Sequence, residues 1–424
     1  GEECLSAPSK TERHTFSDDD FSSGFRLACQ TAVAFEGKTV VEVPSESRVN
    51  QQKLLLKGLE RSVELSPAVK KVAVHLKKPS LLDTRSDVDR LLDALRPNTS
   101  WGPQVDYEAL KKAPLVLRKG DWTVTATVWK DGEVISVEPG ATKGCYGFAV
   151  DIGTTKLAGY LVDLTSGKIV AMASMMNPQI AYGEDVISRI RYIMEADMNL
   201  SRLQQAIAES INNLINEACE TASVPPSEIY DMTVAGNTAM HHIFLGVPPN
   251  YVALLPYPAA LQSPMDIKAR ELSVGISPGA YVHALPAIAG FVGGDAVADI
   301  LATKIHEADD LSLMIDIGTN TEITLAANGQ LRTCSCASGP AFEGAHIKNG
   351  MRAMAGAIEK VRINGASVTL QTIDDQPPVG LCGSGVLDAI AQLLGAGIID
   401  EMGKLKSHPC VRQTETGKEF VLAR

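Results

Sequence analysis

Two stretches of this chain carry the same device, and that duplication limits the possible folds more than any other feature. In FAVDIGTTKLAGYLVD, at 148–163, an apolar run ends at Asp151, a tight turn of Gly153, Thr154, Thr155 and Lys156 follows, and a second apolar run leads away. LMIDIGTNTEITL, at 313–325, repeats the order with Asp316, Gly318, Thr319 and Asn320. Gly153 and Gly318 let the backbone approach a ligand with no Cβ in the way, so consecutive N–H groups can converge on an anion. The threonines and Asn320 add donors, and Lys156 adds a positive charge. Asp151 and Asp316 are poor phosphate ligands but good Mg²⁺ ligands, directly or through water. One such turn reads equally well as an ordinary β-turn; two in matched context point to a phosphate site built from both.

Duplicated strand-turn-strand phosphate loops resemble the two halves of the fold shared by sugar kinases, actins and heat-shock chaperones. The resemblance implies an α/β, duplicated actin-like ATPase fold, with ATP and Mg²⁺ between two similar domains and one hairpin gripping each side of the nucleotide.

The 424 residues, 45.1 kDa, suffice for about three domains, each able to bury a core. A net charge of −11 and a pI near 5.3 argue against a nucleic-acid surface. No run reaches the roughly 18 apolar residues that a membrane span requires, and nothing resembles a signal peptide. Eight cysteines are too few for a disulfide framework in this length, which implies a reducing, cytoplasmic setting. The first residue is Gly rather than Met, so the chain reads as part of a longer product.

Residues 1–45 contain GFRLACQT, with Cys29, then an alternating strand over 38–43 and Pro44. This resembles the end of a plant-type 2Fe-2S ferredoxin domain, which implies that Cys29 is the fourth cluster ligand. The C-x₄-C-x₂-C loop of the other three is absent and Cys4 has no matching spacing, so the chain as written cannot hold the cluster. Without the resemblance, Cys29 reads as a buried small hydrophobe. Residues 46–143 change pattern to a small α+β spacer or docking domain. A helix is expected over 81–95, capped by Asp83 or Thr84 and closed by Pro97. Strands are expected at 72–76, 115–118, 122–129 and 134–137, with Lys130-Asp131-Gly132 as a hairpin turn. No catalytic constellation stands out there, and Trp122 and Trp129 read as core or sheet-face residues.

Residues 144–424 hold both hairpins, as halves 144–300 and 301–424, the second incomplete. A strand over 168–172 and two amphipathic helices over 184–195 and 201–221 follow the first hairpin. A strand from Met232 then runs into Asn237 and Thr238, which open a helix over 239–245 and form a plausible anion contact. His241 and His242 are adjacent, point to different sides and cannot form a metal pair. A Gly-rich loop enters a helix over 296–302 at Asp295, which is either a helix N-cap or the carboxylate that positions the water attacking a γ-phosphate. Cys334 and Cys336 read as packing, since C-x-C without partners is not a zinc pattern. Gly383, Ser384 and Gly385 form a loop in front of a helix over 386–394, placing backbone donors near the cleft.

Taken in order, GFRLACQT, FAVDIGTTK, VAGNTAMHH, GFVGGD, MIDIGTNTEI, SGPAFEGA and GLCGSG are similar to the ATP-dependent reductive activators of corrinoid proteins. That resemblance implies an N-terminal 2Fe-2S domain passing an electron, taken from a donor, to the cobalt of a partner corrinoid protein. It also implies a C-terminal ATPase domain through which the protein is a homodimer. The family's Gly-Gly adenosine loop would fall beyond Arg424. Reducing a low-potential cobalt is uphill, so ATP would act by biasing a conformation rather than by phosphorylating a product. Two other readings are a small-molecule kinase, with Asp295 as base, and a nucleotide-gated chaperone or assembly protein; the front domains count against the kinase.

Overall fold

The computed structural model describes residues 4–28, 30–34, 40–41, 63–98, 104–339, 341, 344, 347–415 and 417–423. The chain divides into two compact units, Gly1–Lys53 and Leu54–Arg424.

In the first unit, α1 (Lys10–Thr15) and α2 (Asp18–Ser22) both begin with reciprocal capping boxes, Ser9 with Glu12 and Ser17 with Asp20. Glu12 is buried, and besides closing its box it accepts hydrogen bonds from Arg26 Nε at 2.9 Å, Leu27 N at 3.1 Å and Thr31 Oγ1 at 3.1 Å. One carboxylate thus fixes the segment after α2 onto α1. Cys29 lies outside the described residues, as does nearly all of the strand expected over 38–43.

The second unit opens with β1 (Val69–His75), α3 (Asp87–Leu95), β2 (Gln104–Val105), α4 (Tyr107–Lys119), β3 (Thr123–Trp129) and β4 (Glu133–Pro139). The strands form one sheet in the order β1-β3-β4-β2, over which Leu91, Leu95, Ala109 and Leu117 of the helices pack. Lys130 and Asp131 take φ of 46° and 55°, as a tight hairpin turn requires. Two expectations are corrected. The helix expected over 81–95 begins only at Asp87, with Ser86 as its cap. Asp83 is instead engaged by Arg85 Nε at 3.0 Å and Arg90 Nη1 at 2.7 Å, and Leu81 and Leu82 are fully exposed. Residues 115–118 lie in α4, not in a strand. Asp106 caps that helix, and Ala109, Ala113 and Leu117 bury one face of it at every fourth position, so the helical stripe outweighs both a β-rich window and an internal Pro114.

The next elements are β5 (Tyr146–Ile152), β6 (Lys156–Asp163), β7 (Lys168–Met176), α5 (Val186–Glu195), α6 (Met198–Ala222), β8 (Ile229–Gly236), α7 (Thr238–Phe244), β9 (Met265–Lys268), β10 (Tyr281–Ala284) and α8 (Gly294–Thr303). They build a six-stranded sheet in the order β7-β6-β5-β8-β10-β9, in which β8 lies parallel to β5. A parallel neighbour needs a crossover, and α5 and α6 provide it. Phe148, Val150 and Ile152 enter one core with Leu203, Ile207, Ile211 and Leu214 of α6. Each such side chain contributes roughly 1.5–3 kcal/mol. Because strand side chains alternate, the same burial turns Asp151 to the opposite face.

The front sheet is seated on this one through charge. Lys268 Nζ meets Glu133 at 3.0 Å and Asp106 at 3.3 Å, and Arg270 Nη1 meets Asp106 at 3.0 Å. Lys130 reaches Asp266 at 2.6 Å, and Trp129 stacks on Tyr281 with ring centres 3.8 Å apart, while Trp122 lies in the front core.

The remainder comprises β11 (Ser312–Ile317), β12 (Asn320–Ala327), β13 (Gln330–Ala337), β14 (Ala357–Asn364), β15 (Ser367–Thr372), β16 (Gly380–Leu381), α9 (Gly383–Gly395), β17 (Val411–Thr414) and β18 (Gly417–Phe420). Strands β11-β12-β13 repeat the β5-β6-β7 meander, and α9 packs on the β15-β14-β16 sheet. The repeat is incomplete among the described residues: β11 pairs only with β12, and Leu313, Ile315 and Ile317 are 59, 50 and 47% exposed where Phe148, Val150 and Ile152 are buried.

Candidate functional site

The two hairpin turns open on one cleft of about 910 Å³. Asp151, Gly153, Thr154, Thr155 and Lys156 line it from the first hairpin and Asp316, Gly318, Thr319 and Asn320 from the second. Asn237, Asp295, Gly383 and Ser384 complete the set expected from the sequence. Thr238 and Gly385 lie off the cleft. The Thr238 hydroxyl donates to the Ala289 carbonyl at 2.7 Å, and Gly385 is pressed so closely on the Ile358 carbonyl that no Cβ fits.

The first turn is shaped from behind. Asn177 Nδ2 donates to the Gly153 carbonyl at 2.8 Å, Arg189 Nη2 to the Thr154 carbonyl at 2.5 Å, and Asn177 N to the Thr155 carbonyl at 2.9 Å. A Cβ on Gly153 would sit 2.5 Å from the Lys156 carbonyl, so the turn needs glycine there. Arg189 is fully buried and also donates to the Gly183 carbonyl at 2.9 Å. Burial lowers its pKa to about 10, so it stays charged at neutral pH. The second turn is held in the same manner, the Thr319 carbonyl accepting from Gly339 N at 2.9 Å.

Two helices aim their first turns at the cleft. α9 starts at Gly383 with no side-chain cap, which leaves its leading N–H groups available to an anion. α8 has Gly293 as its N-cap, placed so near Asn237 that a Cβ would lie 2.5 Å from the Asn237 Cα. Asp295 therefore falls at the second helical residue, two past the cap, with Oδ1 accepting from Ala296 N at 2.8 Å.

The floor is acidic. Asp316 stands directly across the β11–β12 ladder from Glu322, a like-charge pairing that is unfavourable without a cation. Desolvation by the surrounding cleft walls, with Asp295 and Asp316 nearby, pushes Asp151 up to about 7 although its side chain remains open to the cleft. Burial also raises Asp295 and Glu322, and burial together with Asp316 raises Asp299 to about 7. Asp299 and Glu322 were not anticipated. The signal for Asp299 was its position four residues after Asp295, one helical turn along the same face. Glu322, two residues beyond Asn320, shares that residue's strand face.

No group of three or more His, Cys, Asp or Glu side chains among the described residues forms a metal cage. The arrangement fits Mg²⁺ nonetheless, because that ion keeps several waters and takes one or two carboxylates together with substrate phosphates. Asp151 and Asp316 are the residues that would hold it. His241 and His242 are both buried, and His242 Nδ1 bonds the Thr238 carbonyl at 2.6 Å. No helix among the described residues is long and apolar enough to cross a membrane.

Residues 58–144 match the RACo linker region, 146–308 the RACo middle region, and 310–424 the C-terminal domain of RACo, the ASKHA domain. Over 394 residues the chain is 34% identical to the corrinoid activation enzyme RamQ of Eubacterium limosum, covering 90% of this chain and 64% of that protein. It is 27% identical over 302 residues to the [Co(II) methylated amine-specific corrinoid protein] reductase of Methanosarcina barkeri, covering 61% of this chain and 53% of that one. The chain thus spans less than two thirds of the length of either relative. A solved structure of a reductive activator for corrinoid, iron-sulfur protein matches with a TM-score of 0.76 and 38% identity, over 96% of this chain and 68% of that chain. With linker, middle and ASKHA regions in sequence and a structural match over nearly its whole length, the chain belongs to the RACo family of reductive activators.

Proposed function

We propose that this chain is the ATP-hydrolysing part of an enzyme that returns a corrinoid protein from Co(II) to Co(I). The observation that carries the reading is the meeting of two matched hairpins around one acid-floored cleft, a site for a phosphate chain with Mg²⁺. In this reading Thr154, Thr155, Lys156, Thr319, Asn320, Gly383 and Ser384 receive the phosphates, and Asp151 and Asp316 hold the Mg²⁺, which neutralises phosphate charge. Asp295, in the first turn of α8, orients the attacking water. Residues 46–143 act as the linker domain, a spacer or docking unit, and 144–300 and 301–424 as the halves that close on the nucleotide.

One cysteine of the four-cysteine pattern is present, so the residues of this chain do not make a cluster site, and no electron-transfer step is assigned to them. We read the 2Fe-2S cluster as part of a longer cytoplasmic protein in which Cys29 is one ligand. That protein would take its electron from a separate donor and form a homodimer through the ATPase domain.

The test uses the protein with its upstream cysteine loop, and measures phosphate release alongside the visible spectrum of a corrinoid partner. Slow hydrolysis alone, faster hydrolysis with the Co(II) partner, and ATP-dependent growth of the Co(I) band are expected. Growth of that band at one rate with and without ATP would overturn the reading, and stimulation by a sugar or short acid instead would support the kinase alternative.

A further inference from the structure

Among the described residues lining the cleft, six carboxylates, Asp151, Glu184, Asp185, Asp295, Asp316 and Glu322, face two cations, Lys156 and Arg352. Arg352 comes from the second half, on a segment tied to the entry of α9 by Met351 N donating to the Leu381 carbonyl at 2.9 Å. Its side chain is exposed, and no carboxylate among the described residues lies within ion-pair distance of it. Its Nη1 instead lies 3.8 Å from the Met176 sulfur, a weak acceptor. Met176 is the residue paired with Lys156 across β6 and β7. The two cations therefore converge on one rim of the cleft from opposite halves of the protein.

We propose that Arg352 is a phosphate-binding residue that meets the terminal phosphate of a nucleoside triphosphate together with Lys156, so that the third phosphate draws the second half onto the first. The assignment rests on the nucleotide reading above. A guanidinium without a carboxylate partner, in a cleft this acidic, has its donors free of strong competition, and a phosphate is the acceptor that matches its planar fork. A nucleoside diphosphate ends one phosphate short and gains little from it.

The experiment uses the complete protein, with the adenosine loop expected beyond Arg424, and titrates its unsubstituted chain, Arg352→Gln and Arg352→Lys with ATP and with ADP in Mg²⁺, with thermal unfolding in the absence of nucleotide as a check on folding. Arg352→Gln is expected to unfold like the parent, to lose roughly tenfold or more in ATP affinity, and to lose no more than about threefold for ADP; Arg352→Lys should fall between. Equal losses for the two nucleotides, or no loss for ATP, would overturn the role of Arg352 while leaving the nucleotide site intact. Failure of the unsubstituted chain to bind either nucleotide would overturn the nucleotide reading and this assignment with it.

Discussion

Asn237 Nδ2 donates to Thr154 Oγ1 at 2.9 Å, while Asn237 Oδ1 caps α7 through Met240 N at 3.0 Å. The residue expected as an anion contact is therefore first a clamp between the α7 cap and the phosphate turn. Asn237→Ala removes a cap worth about 1 kcal/mol and frees Thr154 as well. Thr154→Val and Asn237→Ala are expected to lower nucleotide affinity non-additively, with a coupling of about 0.5–1.5 kcal/mol in a double-mutant cycle. Additive losses would show that the bond does not organise the turn.

The like-charge pair Asp316 and Glu322 makes the cleft costly without a cation. Asp316→Ala and Asp151→Ala should each abolish the Mg²⁺-dependent part of ATP affinity, with circular dichroism unchanged. Titrating Mg²⁺ at fixed ATP separates this from general damage, since the Mg²⁺-independent affinity is retained. Normal Mg²⁺ dependence in both variants would refute a site shared by the two hairpins.

Arg189 braces the first turn with a buried guanidinium that satisfies the carbonyls of Thr154 and Gly183. Arg189→Met removes the charge but leaves those carbonyls without a partner, at roughly 1–3 kcal/mol each. Denaturant unfolding should show a loss of about 2–4 kcal/mol, and Arg189→Lys should recover only part, because an ammonium lacks the planar fork.

The hairpins were legible because their chemistry is local: strand, Asp, Gly, Thr and strand are contiguous, and the fold reproduces both. What braces them was not legible. Arg189 sits mid-helix, 35 residues from the carbonyl it holds, and nothing in its neighbourhood marks it as different from a surface arginine. Asp299 and Glu322 carried a periodicity signal, but a carboxylate at helical or strand spacing is more often a solvated face, and only the meeting of the two halves sets Glu322 in the cleft lining and Asp299, outside that lining, beside Asp316. The misread strand at 115–118 shows the converse: a four-residue window has no period, and the buried stripe of Ala109, Ala113 and Leu117 decides over a longer span.

In the first unit, Arg26 first and then the Ser9 amide hold Glu12 well below the ordinary carboxylate range. Since its folded pKa is depressed, the stability it contributes is present above its ordinary value of 4.5 and is lost as pH falls below that value toward the folded pKa. Amide protection of the peptide around Leu27, followed by hydrogen exchange, should therefore fall below about pH 4.5 and be low at every pH in Glu12→Gln. Protection that stays level through that range in the parent chain would exclude the carboxylate as the fastener.

The seam around Lys268 carries the largest consequence for coupling. Asp106 is almost fully buried and meets both Lys268 and Arg270, and Lys268 also meets Glu133, so one lysine ties α4 and the β3–β4 hairpin to β9. Lys268→Met deletes the charge but keeps the stem, and should cost roughly 1–3 kcal/mol, because Glu133 and Asp106 lose a partner in a partly desolvated place. The cleft is built from other elements, so nucleotide affinity should change by less than about twofold. If the front sheet transmits closure of the cleft to whatever lies ahead of it, this variant should still release phosphate, but the dependence of cobalt reduction on ATP should weaken in the complete protein. Intact ATP dependence, with hydrogen exchange in β3 and β4 visibly increased, would show that the seam is structural and that coupling takes another route.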